Sequence, residues 1–74
     1  MEVINLRKYL CNLRTDKNKT QQEVATMLGI SRQYYNMIEN GERQKKLDMT
    51  MAKKLADIFG VTLEFIYDHE REAS

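Results

Sequence analysis

Apolar residues recur along this chain at helical spacing, in short runs divided by polar breaks. Leu6, Leu10 and Leu13 fall at i, i+4 and i+7, the stripe of an amphipathic helix. Asn5 is a candidate N-cap for it, and Val3 and Ile4 either join the helix or staple its entry. The helix is expected to end near Asp16, with Lys17-Asn18-Lys19 as the connection. Thr20 followed by Glu23 has the form of a capping box, and Val24, Ala25 and Leu28 continue at helical spacing. Gly29 follows at once, where a chain leaving a helix commonly turns left-handed. Ser31 offers another N-cap two residues later, Tyr35 and Ile38 carry the apolar face, and Asn40-Gly41 closes the third helix. Glu42 to Lys46 has no apolar anchor and reads as an exposed basic loop. Asp48 caps a fourth helix whose inner face is Met51, Ala52, Leu55, Ala56 and Phe59, ended by Gly60. Thr62 starts a short fifth helix with Leu63, Ile66 and Tyr67 inward, and the charged tail from Asp68 is expected to fray.

The second and third helices are the most informative pair. About three residues join them, with a glycine in the joint, which is the form of a helix-turn-helix. Counting from Gln21, a small residue stands fifth (Ala25), glycine ninth (Gly29), and apolar residues fourth, eighth, tenth, fifteenth and eighteenth. Ala25 is small, in this reading, because the partner helix crosses close to it. The unit is mainly used to set its second helix in the DNA major groove.

These elements predict an all-α, compact five-helix domain spanning residues 1–74, ordered over about 3–68 with 69–74 as a frayed tail. Its core is expected to hold Leu6, Leu10, Leu13, Val24, Ala25, Leu28, Ile30, Tyr35, Ile38, Leu55, Ala56, Phe59, Val61, Leu63 and Ile66. The absence of proline and the presence of only three glycines argue against a sheet or a flexible linker.

Net charge is only +1, a weak argument against nucleic acid when taken alone. Its distribution changes the picture: residues 1–20 carry a balance of +3, residues 21–46 of +1 and residues 47–74 of −3. Such polarity orients a molecule in the field of a phosphate backbone. No apolar run approaches the ~18 residues of a membrane span, and no secretory signal is evident. With one cysteine, Cys11, no internal disulfide forms and a reducing cytoplasm is the expected setting. Enzyme chemistry lacks its materials. The one histidine, His69, lies in the tail, no Cys/His cluster has metal spacing, no glycine-rich loop is present, and no cofactor is expected.

Leu13-Arg14, Thr20-Gln21-x-Glu23-Val24-Ala25, Leu28-Gly29-Ile30-Ser31, Ile38-Glu39-Asn40-Gly41 and Leu55-Ala56-x-x-Phe59-Gly60-Val61 together resemble the phage-repressor and Cro-like helix-turn-helix family, also called XRE or lambda repressor-like. The likeness runs from about Leu6 to Tyr67. It implies a sequence-specific regulator of transcription, a repressor acting by operator occupancy, that binds two-fold double-stranded DNA as a homodimer in the bacterial cytoplasm or nucleoid. The host is expected to be a bacterium, a prophage or another mobile element. The rival expectation is a helix-turn-helix antitoxin or anti-repressor acting mainly through a protein partner.

The resemblance also implies roles. The recognition helix is Ser31–Asn40, with Ser31, Arg32, Gln33, Tyr34 and Met37 displayed towards bases. Gln21, Lys19, Arg43, Lys45 and Lys46 are phosphate candidates, and Arg14 and Glu39 form a structural ion pair. Three positions depart from the family pattern. Tyr35 stands where isoleucine or valine is usual, so its hydroxyl must reach water or a partner. Lys19 replaces a leucine. Phe65 stands where glutamate is common and is the candidate dimer contact.

Overall fold

The computed structural model describes residues 7–42 and 46–73. It contains α1 (Lys8–Asp16), α2 (Gln21–Leu28), α3 (Arg32–Glu39), α4 (Met49–Phe59) and α5 (Leu63–Ala73), with no strand among the described residues. Local chemistry fixes most of these boundaries. The Thr20 hydroxyl accepts from the Glu23 amide at 3.0 Å while the Glu23 carboxylate accepts from the Thr20 amide at 2.8 Å, a complete capping box. Ser31, Asp48 and Thr62 accept in the same way from the amides of Tyr34, Met51 and Phe65. Gly29 leaves α2 with φ of +77°, a left-handed step that costs glycine little, so the chain reverses within three residues.

The helices pack α2 on α3 and α4, α4 on α5, and α1 on α3. Between them lie Leu10, Val24, Ala25, Leu28, Tyr35, Ile38, Ala52, Leu55, Ala56, Phe59 and Ile66, all buried. Ala52 therefore joins the expected core. Leu13, Ile30, Val61 and Leu63 sit half-buried at its margin, and Leu6 lies outside the described residues.

Two helices differ from expectation. At α1 the N-cap is Arg7, which uses no side-chain cap; the expected cap Asn5 is outside the described residues. Arg7 instead sends its amide to the Glu39 carbonyl at 2.8 Å, linking the entry of α1 to the end of α3.

At the other terminus, helix α5 continues through the stretch expected to fray. Glu70 accepts from Arg7 Nε at 2.7 Å, from Arg7 Nη2 at 3.2 Å and from the Tyr9 hydroxyl. The His69 ring lies 5.0 Å from Tyr9 and 4.3 Å from Phe65, centroid to centroid. The inward stripe is thus Leu63, Ile66 and Glu70, at i, i+3 and i+7. Tyr67, expected inward, is exposed, and Phe65 is half-buried against the core. The stripe was masked because its last member is charged, and only its pairing with Arg7 makes burial affordable.

The Arg7–Glu70 pair is nearly dry, with side-chain exposures of 4% and 15%. Removing Glu70 takes the acceptor from two Arg7 nitrogens and from the Tyr9 hydroxyl, so Glu70→Ala should lower the unfolding free energy by about 1–3 kcal/mol. Urea denaturation followed by circular dichroism measures this. A change below about 0.5 kcal/mol, the level of an ordinary surface substitution, would mean that α5 contributes nothing past Asp68.

Candidate nucleic-acid interface

Helix α3 has the sharpest division between a buried and an exposed side. Tyr35 and Ile38 are fully buried, and Glu39 is 6% exposed. A carboxylate so placed needs donors. Arg14 Nε supplies one to Glu39 Oε2 at 2.7 Å, and Gln21 Nε2 supplies another to Glu39 Oε1 at 3.0 Å. Arg14 also donates to the Lys19 carbonyl at 3.2 Å, so the connection between α1 and α2 is held by the same guanidinium. The hydrogen bond to Glu39 raises the Arg14 pKa further.

The end of α3 is held as well. Arg7 Nη1 donates to the Ile38 carbonyl at 2.6 Å, placing a positive charge where the helix dipole is negative. Gly41, at φ +77°, and Glu42 send their amides back to the carbonyls of Ile38 and Met37. The last turn and the inner side of α3 are therefore tied to other elements, while its first turn is held by its own Ser31 cap.

Ser31, Arg32 and Gln33 are exposed in the first turn of α3, and half-buried Met37 follows Gln33 by one turn. Tyr34 departs from the expected display: it is half-buried and packed against the core. Ser31 already uses its oxygen as the N-cap. The side chain of Gln21 turns towards α3, donating to Asn36 as well as to Glu39. Lys19 is half-buried and Lys46 is exposed, while Arg43 and Lys45 lie outside the described residues. Asn36 was absent from the expected set. Its position four residues after Arg32, hence on the same strip of α3, was the available signal.

Tyr35 accommodates its hydroxyl poorly. The oxygen is buried and has no hydrogen-bond partner of good geometry among the described residues. Burial, reinforced by the Glu39 carboxylate, pushes the phenol pKa upwards. Burial, with a hydrogen bond to Glu70 and its charge, does the same to Tyr9. Among the described residues no cluster of His, Cys, Asp and Glu could hold a metal ion, and no helix is long and apolar enough to cross a membrane.

Comparison with known proteins places these elements in context. The helix-turn-helix family model matches residues 12–66. The chain is 44% identical over 55 residues to the uncharacterized HTH-type transcriptional regulator YqaF of Bacillus subtilis, covering 74% of this chain and 70% of that one. An uncharacterized HTH-type transcriptional regulator of Methanocaldococcus jannaschii is 42% identical over 53 residues, covering 72% of this chain and 77% of the relative. The SPbeta prophage-derived regulator YonR of Bacillus subtilis is 40% identical over 53 residues, covering 72% of this chain but only 47% of YonR. No solved structure matches.

The Tyr35 hydroxyl gives a two-part test. The Tyr35 hydroxyl meets its nearby acceptor, the Glu39 carboxylate, in poor geometry and gains little from it, so Tyr35→Phe should be neutral or stabilise by up to about 1 kcal/mol at neutral pH. Because the folded pKa lies above the unfolded one, Tyr35 has its full effect below pH ~10 and loses it as pH rises, by ~1.4 kcal/mol per pH unit. Tyr35→Phe should remove that share of the alkaline slope and leave the share of Tyr9. Denaturant titrations between neutral pH and the alkaline limb measure both quantities, and an unchanged slope would show that the hydroxyl is solvated.

Proposed function

Because the chain belongs to the helix-turn-helix family of DNA-binding transcriptional regulators, we propose that it reads a double-stranded operator with α3 in the major groove and represses by occupying it. The observation carrying this reading is the exposed first turn of α3, where Arg32 and Gln33 stand clear of a helix capped by Ser31 and anchored at its last turn by Arg7 and Arg14. Arginine can grip guanine O6 and N7 with two parallel bonds, and glutamine can do the same for adenine N6 and N7. Met37 meets a thymine methyl, and Ser31 donates from its hydroxyl at the groove edge. Tyr34, half-buried, contributes only its rim.

Lys19, Lys46, Arg43 and Lys45 supply phosphate contacts on either side, together with the backbone amide of Gln21. One recognition helix covers about half a site, so two copies on a two-fold operator complete it, with α3 helices roughly one DNA turn apart. The outer side of α5 serves the homodimer, Phe65 from its exposed edge and Tyr67 beside it. Likeness to a regulator of prophage origin supports a bacterial, prophage or other mobile-element setting, in which this repressor works in the cytoplasm.

Selection of sites from random DNA gives the operator, and two substitutions then separate the roles. Arg32→Ala should lose about 1–3 kcal/mol at one base-pair position. Lys46→Ala should weaken all sequences about equally and flatten the salt dependence by about one unit. Uniform losses in both variants would sink the assignment of base reading. A wild-type affinity independent of salt would sink DNA binding and favour a protein partner, as in an antitoxin or anti-repressor.

A further inference from the structure

Asn36 sits on the same strip of α3 as Arg32, half-buried, and its orientation follows from a chain of donors and acceptors. The chain begins at Glu39. Paired with Arg14 at 2.7 Å, its carboxylate is ionised and can only accept. The group of Gln21 that lies 3.0 Å from Glu39 Oε1 must therefore be the amide nitrogen. That nitrogen can only donate, so the Asn36 atom 3.0 Å away must be the carbonyl oxygen Oδ1.

Both assignments, normally ambiguous for carboxamides, are fixed by one buried charge. The consequence reaches the surface. Gln21 has used both hydrogens of its side-chain amide, on Asn36 and on Glu39, and retains only an acceptor. It cannot donate to a phosphate from its side chain without breaking this arrangement. Asn36, conversely, has committed its acceptor to Gln21 and keeps its two Nδ2 hydrogens, which bond to nothing among the described residues.

Resting on the reading of α3 as a DNA-binding helix, we propose that Asn36 is a further contact residue, donating from Nδ2 to a DNA phosphate oxygen. An asparagine that reads adenine must present donor and acceptor together. Here the acceptor is turned to α2, so a partner made only of acceptors fits, a phosphate or a guanine edge, and the placement of the side chain selects the phosphate. The tether to Gln21 draws the side chain to the α2 side of the helix, away from the strip of Gln33 and Met37. The contact therefore sets the helix on the backbone and is blind to sequence. Gln21, in the same arrangement, is a positioning residue that acts through Asn36.

The test is a cycle between protein and DNA on the selected operator. Asn36→Ala should weaken binding about tenfold on every sequence, as loss of a hydrogen bond to a charged group predicts, with base preferences unchanged. Single uncharged methylphosphonates are then placed along the operator. One of them should cost wild type about tenfold and the alanine variant no more than about twofold, because its partner is already gone. Asn36→Asp keeps the acceptor for Gln21 but has no donor; it should melt within a few degrees of wild type and bind no better than the alanine variant. Losses that add at every phosphate, a loss confined to one base pair, or unchanged affinity each overturn the proposal. In those three cases wild type still binds DNA, so the wider reading stands. A wild type with no salt-dependent binding overturns both.

Discussion

A buried carboxylate governs this structure. Glu39 lies near the end of the helix that carries the exposed Arg32 and Gln33, and an isolated charge there would be prohibitive. Its neutralisation recruits Arg14 from α1 and Gln21 from α2, and Arg14 in turn holds the backbone of the α1–α2 connection. Three helices thus meet at one group. Hydrophobic packing alone leaves α3 free to slide by small amounts, since apolar contacts have little direction. Hydrogen bonds to a fixed carboxylate do not permit this, and breaking one partner leaves a charge stranded.

A second clasp, beside the first, brings in α5. Arg7 reaches the Ile38 carbonyl with one nitrogen and Glu70 with others, so α5 acts on the end of α3 through a single side chain. The two arginines hold successive residues of α3, Ile38 and Glu39. Rigidity is concentrated in the last turn, and the first turn is left exposed with Ser31, Arg32 and Gln33. A helix held this way presents its free side chains from a fixed platform, which is what positional recognition requires. Tyr35 is the weak point of the platform, for it fills the core with its ring while its hydroxyl goes unsatisfied.

Much of this was legible in the chain because the signals were local. Thr20 with Glu23, Gly29, Ser31, Asp48 and Gly60 each mark a helix end through chemistry within four residues, and all five act at the positions expected. The pairing of Arg14 with Glu39 came only through family resemblance, since 25 residues separate the partners. Nothing comparable pointed to Arg7 with Glu70, 63 residues apart, and a charged residue reads as solvent-facing until its partner is known. That same blindness placed Tyr67 inward, because Leu63-Ile66-Tyr67 and Leu63-Ile66-Glu70 both have helical spacing and hydropathy favours the former. Asn36 was missed for a related reason: a half-buried carboxamide has no signature until its neighbours fix which atom faces out.

The paired charges also change what the charge pattern means. Two of the five cations in residues 1–20, Arg7 and Arg14, belong to buried pairs and contribute little field outside the protein. Their partners Glu39 and Glu70 are withdrawn from the acidic count in the same way. Among the described residues, steering towards a phosphate backbone therefore falls to Lys8, Lys17, Arg32, Lys46, Lys53 and Lys54, which are exposed, together with half-buried Lys19. Lys17 and Lys19 precede the start of α2, and Lys46 follows the end of α3 in the chain. The acidic excess of the last third survives on α5 in Glu64, Asp68 and Glu72, all exposed, although Asp68 is paired with Arg71. A duplex meets exposed like charge on α5 and the exposed cation Arg32 on the first turn of α3. Net charge near zero is thus compatible with oriented encounter, because orientation depends on the separation of the charges and not on their sum.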